Sequence, residues 1–118
     1  MVCELRDAKS SVACGDPLLE ELGQISTRSR AMVTCYPGNN SHYTKHYDNA
    51  IGNGRKLTTI LYLNEWQHGD GGELRIYDHT HCASSNKACT TIEPIMGRLL
   101  LFWSDTRCPH EVLYFNVQ

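Results

Sequence analysis

Apolar residues along the chain fall in short runs, broken by stretches rich in Gly, Pro and Asn. That rhythm predicts strands joined by turns rather than helices. Residues 31–36 (AMVTCY) read as a strand, closed by the turn Pro37-Gly38-Asn39-Asn40. Residues 41–48 form the next, followed by a loop over 49–54 (NAIGNG). Residues 57–63 (LTTILYL) are β-branched and aromatic, the composition of a central strand. After the GDGG turn at 69–72, residues 73–77 alternate, with Leu74 and Ile76 on one face and Arg75 on the other. These two strands are expected to pair as a hairpin across a loop containing Trp66. A short strand follows at 90–93, ending before Pro94. Residues 98–103 (RLLLFW) are nearly all apolar, which predicts burial on both faces. Residues 110–117 (HEVLYFNV) make the last strand. Helix is expected only at 17–22, with Asp16 as N-cap, Pro17 in the first position and Gly23 as the stop. About seven closely spaced strands imply a two-sheet β fold, a sandwich or jelly roll.

With 118 residues there is material for one small domain. Eleven Lys+Arg balance 13 Asp+Glu, a net charge of -2, so no electrostatic footprint for nucleic acid or an anionic membrane is expected. No apolar run approaches the ~20 residues of a membrane span. The first nine residues carry no apolar signal-peptide core, so the expected compartment is cytoplasmic, nuclear or both. Six cysteines (Cys3, Cys14, Cys35, Cys82, Cys89 and Cys108) are many for this length. Without a leader they read as thiols in a reducing compartment; a secreted, disulfide-bonded β domain is the competing reading. Cys35 is expected to be a small buried hydrophobe, and His42 and His68 to be surface residues.

The chemistry concentrates at His46-Tyr47-Asp48. In a strand, residues two apart share a face, which sets an imidazole beside a carboxylate. A third ligand, His110 in Pro109-His110-Glu111-Val112, would complete the two-histidine, one-carboxylate face that holds Fe(II) with positions left open. Binding needs neutral imidazoles and an ionised carboxylate, so affinity should fall in acid. By spacing alone, two histidines at strand ends are also compatible with ordinary polar residues. His79, His81, Cys82 and Cys89 are a second group with zinc-like residue types in a polar loop.

The surroundings of the triplet add a resemblance. Met32-Val33-Thr34-Cys35-Tyr36-Pro37-Gly38-Asn39, His46-Tyr47-Asp48-Asn49, Gly54-Arg55, Tyr62-Leu63-Asn64, Gly71-Gly72-Glu73-Leu74-Arg75-Ile76, Ile92-Glu93-Pro94, residues 98–105 (RLLLFWSD) and Pro109-His110-Glu111-Val112 resemble, in one register, the catalytic domain of the hypoxia-inducible-factor prolyl hydroxylases, the Egl-nine family. The resemblance implies a mainly β fold, a double-stranded β-helix (jelly roll), over residues 31–118. It implies an enzyme using Fe(II), 2-oxoglutarate and O2, with L-ascorbate supporting the iron, that hydroxylates a proline in a peptide or protein substrate of the hypoxia-inducible-factor type. By position, His46, Asp48 and His110 match the iron ligands. Tyr62 matches the tyrosine that meets the far carboxylate of 2-oxoglutarate, and Tyr36 a tyrosine of the same pocket. Ile60, Leu74 and Val112 match its apolar walls.

Two departures from the family pattern are visible. The arginine that pairs with the 2-oxoglutarate carboxylate would fall just past Gln118, and residues 113–118 do not follow the family's pattern. Residues 1–30 hold only part of the family's N-terminal helical segment. The expectation is a jelly roll incomplete at its C-terminal strands. The alternative to an active hydroxylase is therefore a truncated, impaired fragment that keeps iron binding alone.

Overall fold

The computed structural model describes residues 17–77 and 90–116. The chain separates into two compact units, residues 1–31 and 32–118. The first contributes one described element, helix α1 (Pro17–Gly23), with no buried residue; its expected cap Asp16 lies outside the described residues. The second unit holds strands β1 (Ser41–His46), β2 (Leu57–Leu61), β3 (Leu74–Ile76), β4 (Thr90–Ile92), β5 (Leu99–Trp103) and β6 (His110–Phe115).

One antiparallel sheet has the order β1-β6-β3-β4, and β2 pairs with β5 in a second. The partners are nested: β3 with β4, β2 with β5, β1 with β6. A chain paired this way is a long hairpin rolled up on itself, which is the path of a jelly roll. Pairing of β3 with β6 joins the innermost and outermost layers of the roll. The sheets meet where Phe102 of β5 stacks edge-on against His110 of β6, ring centroids 4.7 Å apart. Leu74 and Phe102 are buried apolar side chains there, and Ser104 and His110 are buried polar ones.

Nesting corrects the expected local hairpin. Residues 57–63 and 73–77 do not pair, because β2 runs beside β5 and β3 beside β4 and β6. Six strands form among the described residues. Residues 31–37 are irregular, with Met32 82% and Val33 91% exposed. Their strand-like composition finds no partner there, and composition without a ladder does not make a strand. Burial of residues 98–103 on both faces is also corrected: Leu99 and Leu101 are 55% and 56% exposed, and only the alternate side chains turn inward. Cys35, expected in the interior, is exposed on the irregular segment. His42 and His68 are exposed, as expected.

Two local devices set the geometry near the site. The turn before β1 has positive φ at Gly38 (83°), Asn39 (52°) and Asn40 (60°) and closes with Ser41 N–H donating to Gly38 O at 2.9 Å. Before β3, Gly71 and Gly72 (φ 76° and 75°) lie against β6. A Cβ at Gly71 would strike the Tyr114 carbonyl, and one at Gly72 the Phe115 ring. On the outer face, Arg75 and Glu111 are cross-strand partners 3.2 Å apart, and the Tyr77 hydroxyl donates to Glu111 at 2.6 Å. So partly exposed a pair supports register more than stability.

Candidate metal centre

Strand β1 does not reach Asp48. It ends at His46, and Asp48 stands on the turn that follows. The argument that residues two apart share a face therefore does not apply, yet the two side chains meet: His46 Nε2 is 3.5 Å from Asp48 Oδ1. His46 itself is aimed by an irregularity in the ladder. Tyr43 pairs with Val112 and His46 with His110, so three steps on β1 oppose two on β6. Such a bulge rotates the strand locally. It leaves the Tyr43 and His46 rings in contact, with centroids 4.4 Å apart.

His110 arrives from the first position of β6, directly opposite His46, with their ring centroids 4.4 Å apart. Its Nε2 lies 3.9 Å from Asp48 Oδ2. One ligand atom from each of His46, Asp48 and His110 lies within 4.8 Å of the others. The protons of the cluster point elsewhere. His46 Nδ1 sits 2.8 Å from Thr44 O, and His110 Nδ1 sits 3.0 Å from Cys108 O. A carbonyl only accepts, so each Nδ1 carries the hydrogen and each Nε2 presents a lone pair. Burial pushes the His110 pKa down and so favours the neutral ring; the bond to Cys108 O opposes this in part. Two nitrogen lone pairs and a carboxylate oxygen thus converge with no donor between them. That donor set fits a divalent cation and orients both rings as metal-binding histidines usually are.

The residues that the resemblance sets around a cosubstrate lie on neighbouring strands. Leu74 opposes Val112 across the β3–β6 ladder, and Ile60 opposes Leu100 across β2–β5. Ile60 and Tyr62 are half-buried while Leu61 and Leu63 are exposed, so the first pair turns inward. Tyr62 is anchored beside Arg98, its N–H donating to Arg98 O at 3.1 Å. Burial raises the Tyr62 pKa to about 12; the neighbouring Tyr36 adds to the rise, and Arg98 opposes it. Tyr36 is raised in turn by burial and by Tyr43. Tyr36 thus interacts electrostatically with both Tyr62 and Tyr43, and the inward phenol of Tyr62 keeps its proton as a hydrogen-bond donor.

Sequence reasoning gave no role to Tyr43, Thr58 or Ser104, which surround the cluster. The Thr58 hydroxyl donates to Asp48 Oδ2, and its oxygen is 2.9 Å from Ser104 Oγ. Thr58 shares the inward face of Ile60 and Tyr62, a signal present in the alternation of LTTILYL. Asn49 shapes the adjoining loop, its side chain bonding Arg55 O and Asn53 N–H. The His79, His81, Cys82 and Cys89 group lies outside the described residues.

A mainly β jelly roll that gathers two histidines and a carboxylate at its mouth defines the class of protein. The sequence matches the 2OG-Fe(II) oxygenase superfamily over residues 31–118, and the chain belongs to that family. It is 48% identical over 91 residues to the hypoxia-inducible factor prolyl hydroxylase of Caenorhabditis elegans, covering 75% of this chain and 12% of that protein. To human prolyl hydroxylase EGLN3 it is 48% identical over 90 residues, 75% of this chain and 36% of that one. The chain thus spans about a third or less of these curated relatives. Among solved structures, a prolyl hydroxylase from Trichoplax adhaerens in complex with a hypoxia inducible factor oxygen degradation domain peptide fragment aligns with a TM-score of 0.58 and 43% identity. That alignment covers 69% of this chain and 36% of that one. A Pseudomonas putida prolyl-4-hydroxylase aligns with a TM-score of 0.57 and 35% identity, over 69% and 41% of the two chains. Membership of this family implies Fe(II), 2-oxoglutarate and O2.

Proposed function

We propose that this chain carries the catalytic centre of a 2-oxoglutarate- and Fe(II)-dependent prolyl 4-hydroxylase of the oxygen-sensing type, with residues 31–118 as the dioxygenase domain. The observation that carries the reading is the convergence of His46, Asp48 and His110 with both Nδ1 protons turned away. In this reading His46 Nε2, His110 Nε2 and the Asp48 carboxylate hold the ion. Fe(II) bound there would supply the chemistry that couples O2 and 2-oxoglutarate to hydroxylation, with ascorbate keeping the iron reduced.

The other residues bind, orient and exclude water. Ile60, Leu74 and Val112 form apolar walls along the cosubstrate. Tyr62 donates its hydroxyl to the far carboxylate, with Tyr36 beside it. The positive charge of Arg98 near Tyr62 favours an anion at that end. The substrate is a proline within a peptide of the hypoxia-inducible-factor type, as in the Trichoplax complex. Among the described residues no helix is long and apolar enough to cross a membrane. The exposed thiol of Cys35 suits a reducing compartment, cytosol or nucleus.

The test is anaerobic Fe(II) titration, followed by succinate release and peptide mass analysis with a proline-containing peptide. We expect stoichiometric Fe(II) uptake that His46→Ala or Asp48→Ala abolishes, and hydroxylation that follows it. Uptake that survives both substitutions would remove the metal assignment. Uptake without succinate or hydroxyproline would leave a metal-binding fragment that does not turn over.

A further inference from the structure

Of the three ligands Asp48 alone stands on a turn, where the backbone leaves its carboxylate freer to rotate than a side chain on a paired strand. What restrains it is a chain of hydroxyl groups. The Thr58 hydroxyl donates to Asp48 Oδ2. An ionised carboxylate only accepts, so the single Thr58 proton is spent on that bond. In the 2.9 Å contact between Thr58 Oγ1 and Ser104 Oγ, Thr58 must therefore accept and Ser104 donate. The direction is fixed: Ser104 to Thr58 to Asp48. Hydrogen bonds in series polarise one another, which strengthens the last one.

Ser104 is suited to anchor such a chain. It is 0% exposed. Its N–H donates to Lys56 O at 2.9 Å, and its carbonyl accepts from Asn49 N–H at 2.8 Å. It thus ties the end of β5 to the residue before β2 and to the residue after Asp48. Thr58 sits on β2 opposite Phe102, whose ring stacks on His110. The relay thus touches the Asp48 turn directly and borders His110 through Phe102.

We propose that Thr58 and Ser104 are positioning residues that fix the rotation of the Asp48 carboxylate toward the two histidines. With the Thr58 hydroxyl on Oδ2, that oxygen stands 3.9 Å from His110 Nε2 and Oδ1 stands 3.5 Å from His46 Nε2. The proposal rests on the metal assignment above and adds to it a cause for the geometry.

The experiment uses Co(II), an air-stable probe, titrated into the 118-residue chain by calorimetry and followed by its d–d absorption. Thr58→Val keeps the shape and removes the donor; Thr58→Ser keeps the donor. We expect Thr58→Val to weaken Co(II) binding about 10–100-fold, the usual cost of losing a partner of a metal ligand, and to shift the d–d bands. Thr58→Ser should restore both, which a packing role for the threonine methyl would not. Ser104→Ala should weaken binding several-fold with a shift of the same sign, and it reports on the relay if Thr58→Val does not fold. Parent-like affinity and spectrum in a folded Thr58→Val, or in Ser104→Ala, would overturn the proposal. If the parent chain binds no Co(II), the metal assignment fails and this inference falls with it. If the parent binds and only Asp48→Ala loses binding, the relay alone is wrong.

Discussion

Tyr62 shows how a single residue carries both a structural and a chemical signature. Its phenol is held neutral chiefly by burial, with a pKa of about 12 in place of 10.0. Because the folded value is raised, the unfolded chain ionises first as pH climbs. The stability associated with this group is intact below about pH 10 and is lost as pH rises from there through 12. We expect the absorbance of tyrosinate at Tyr62, isolated as the difference between the parent and Tyr62→Phe, to rise only near the upper value. A midpoint near 10 would show a solvated phenol. The position of Tyr62 follows from alternation in LTTILYL; its neighbours Tyr36 and Arg98 do not. At this scale the histidines were legible as residue types, but the direction of each Nδ1 proton depends on the Thr44 and Cys108 carbonyls.

At the scale of elements, most strands were visible in the pattern, and their partners were not. Alternation marks a strand without saying which strand lies beside it, because any two half-buried strands can complete a ladder. Hence β2 was expected beside β3 and lies beside β5. The irregularity between Tyr43 and His46 was equally hidden, since a bulge is decided by what the opposing strand does. The Gly71-Gly72 step was legible as a turn, but its reason is contact with β6. Gly72→Ala both strains a positive φ and drives a methyl into the Phe115 ring. We expect it to cost about 1–3 kcal/mol in urea unfolding. A loss of a few tenths would show that β6 yields easily.

For the whole molecule, metal and fold are linked. The three ligands come from the end of β1, the turn after it and the start of β6, and they converge only when β1 and β6 are paired. An ion that binds the folded chain and not the unfolded one stabilises it by mass action, about 2.7 kcal/mol at a hundredfold excess over Kd. Thermal unfolding with and without Co(II) should therefore show a concentration-dependent rise in Tm that His110→Ala removes. A Tm indifferent to the ion in the parent chain would separate binding from folding.

By itself the sequence determined the residue types and local conformations: a chain of short β strands, the turns between them, and two histidines and a carboxylate in a context shared with the prolyl hydroxylases. These are properties of neighbouring residues, and periodicity and motif register read them directly. Tertiary structure decided the rest. Nested pairing rolled the chain so that His110 came opposite His46, a bulge turned His46 inward, and Asp48 reached the site from a turn. The Thr58 hydroxyl, backed by the buried Ser104, then took up one of its oxygens. Each outcome depends on contacts between segments far apart in the chain, which local spacing does not encode.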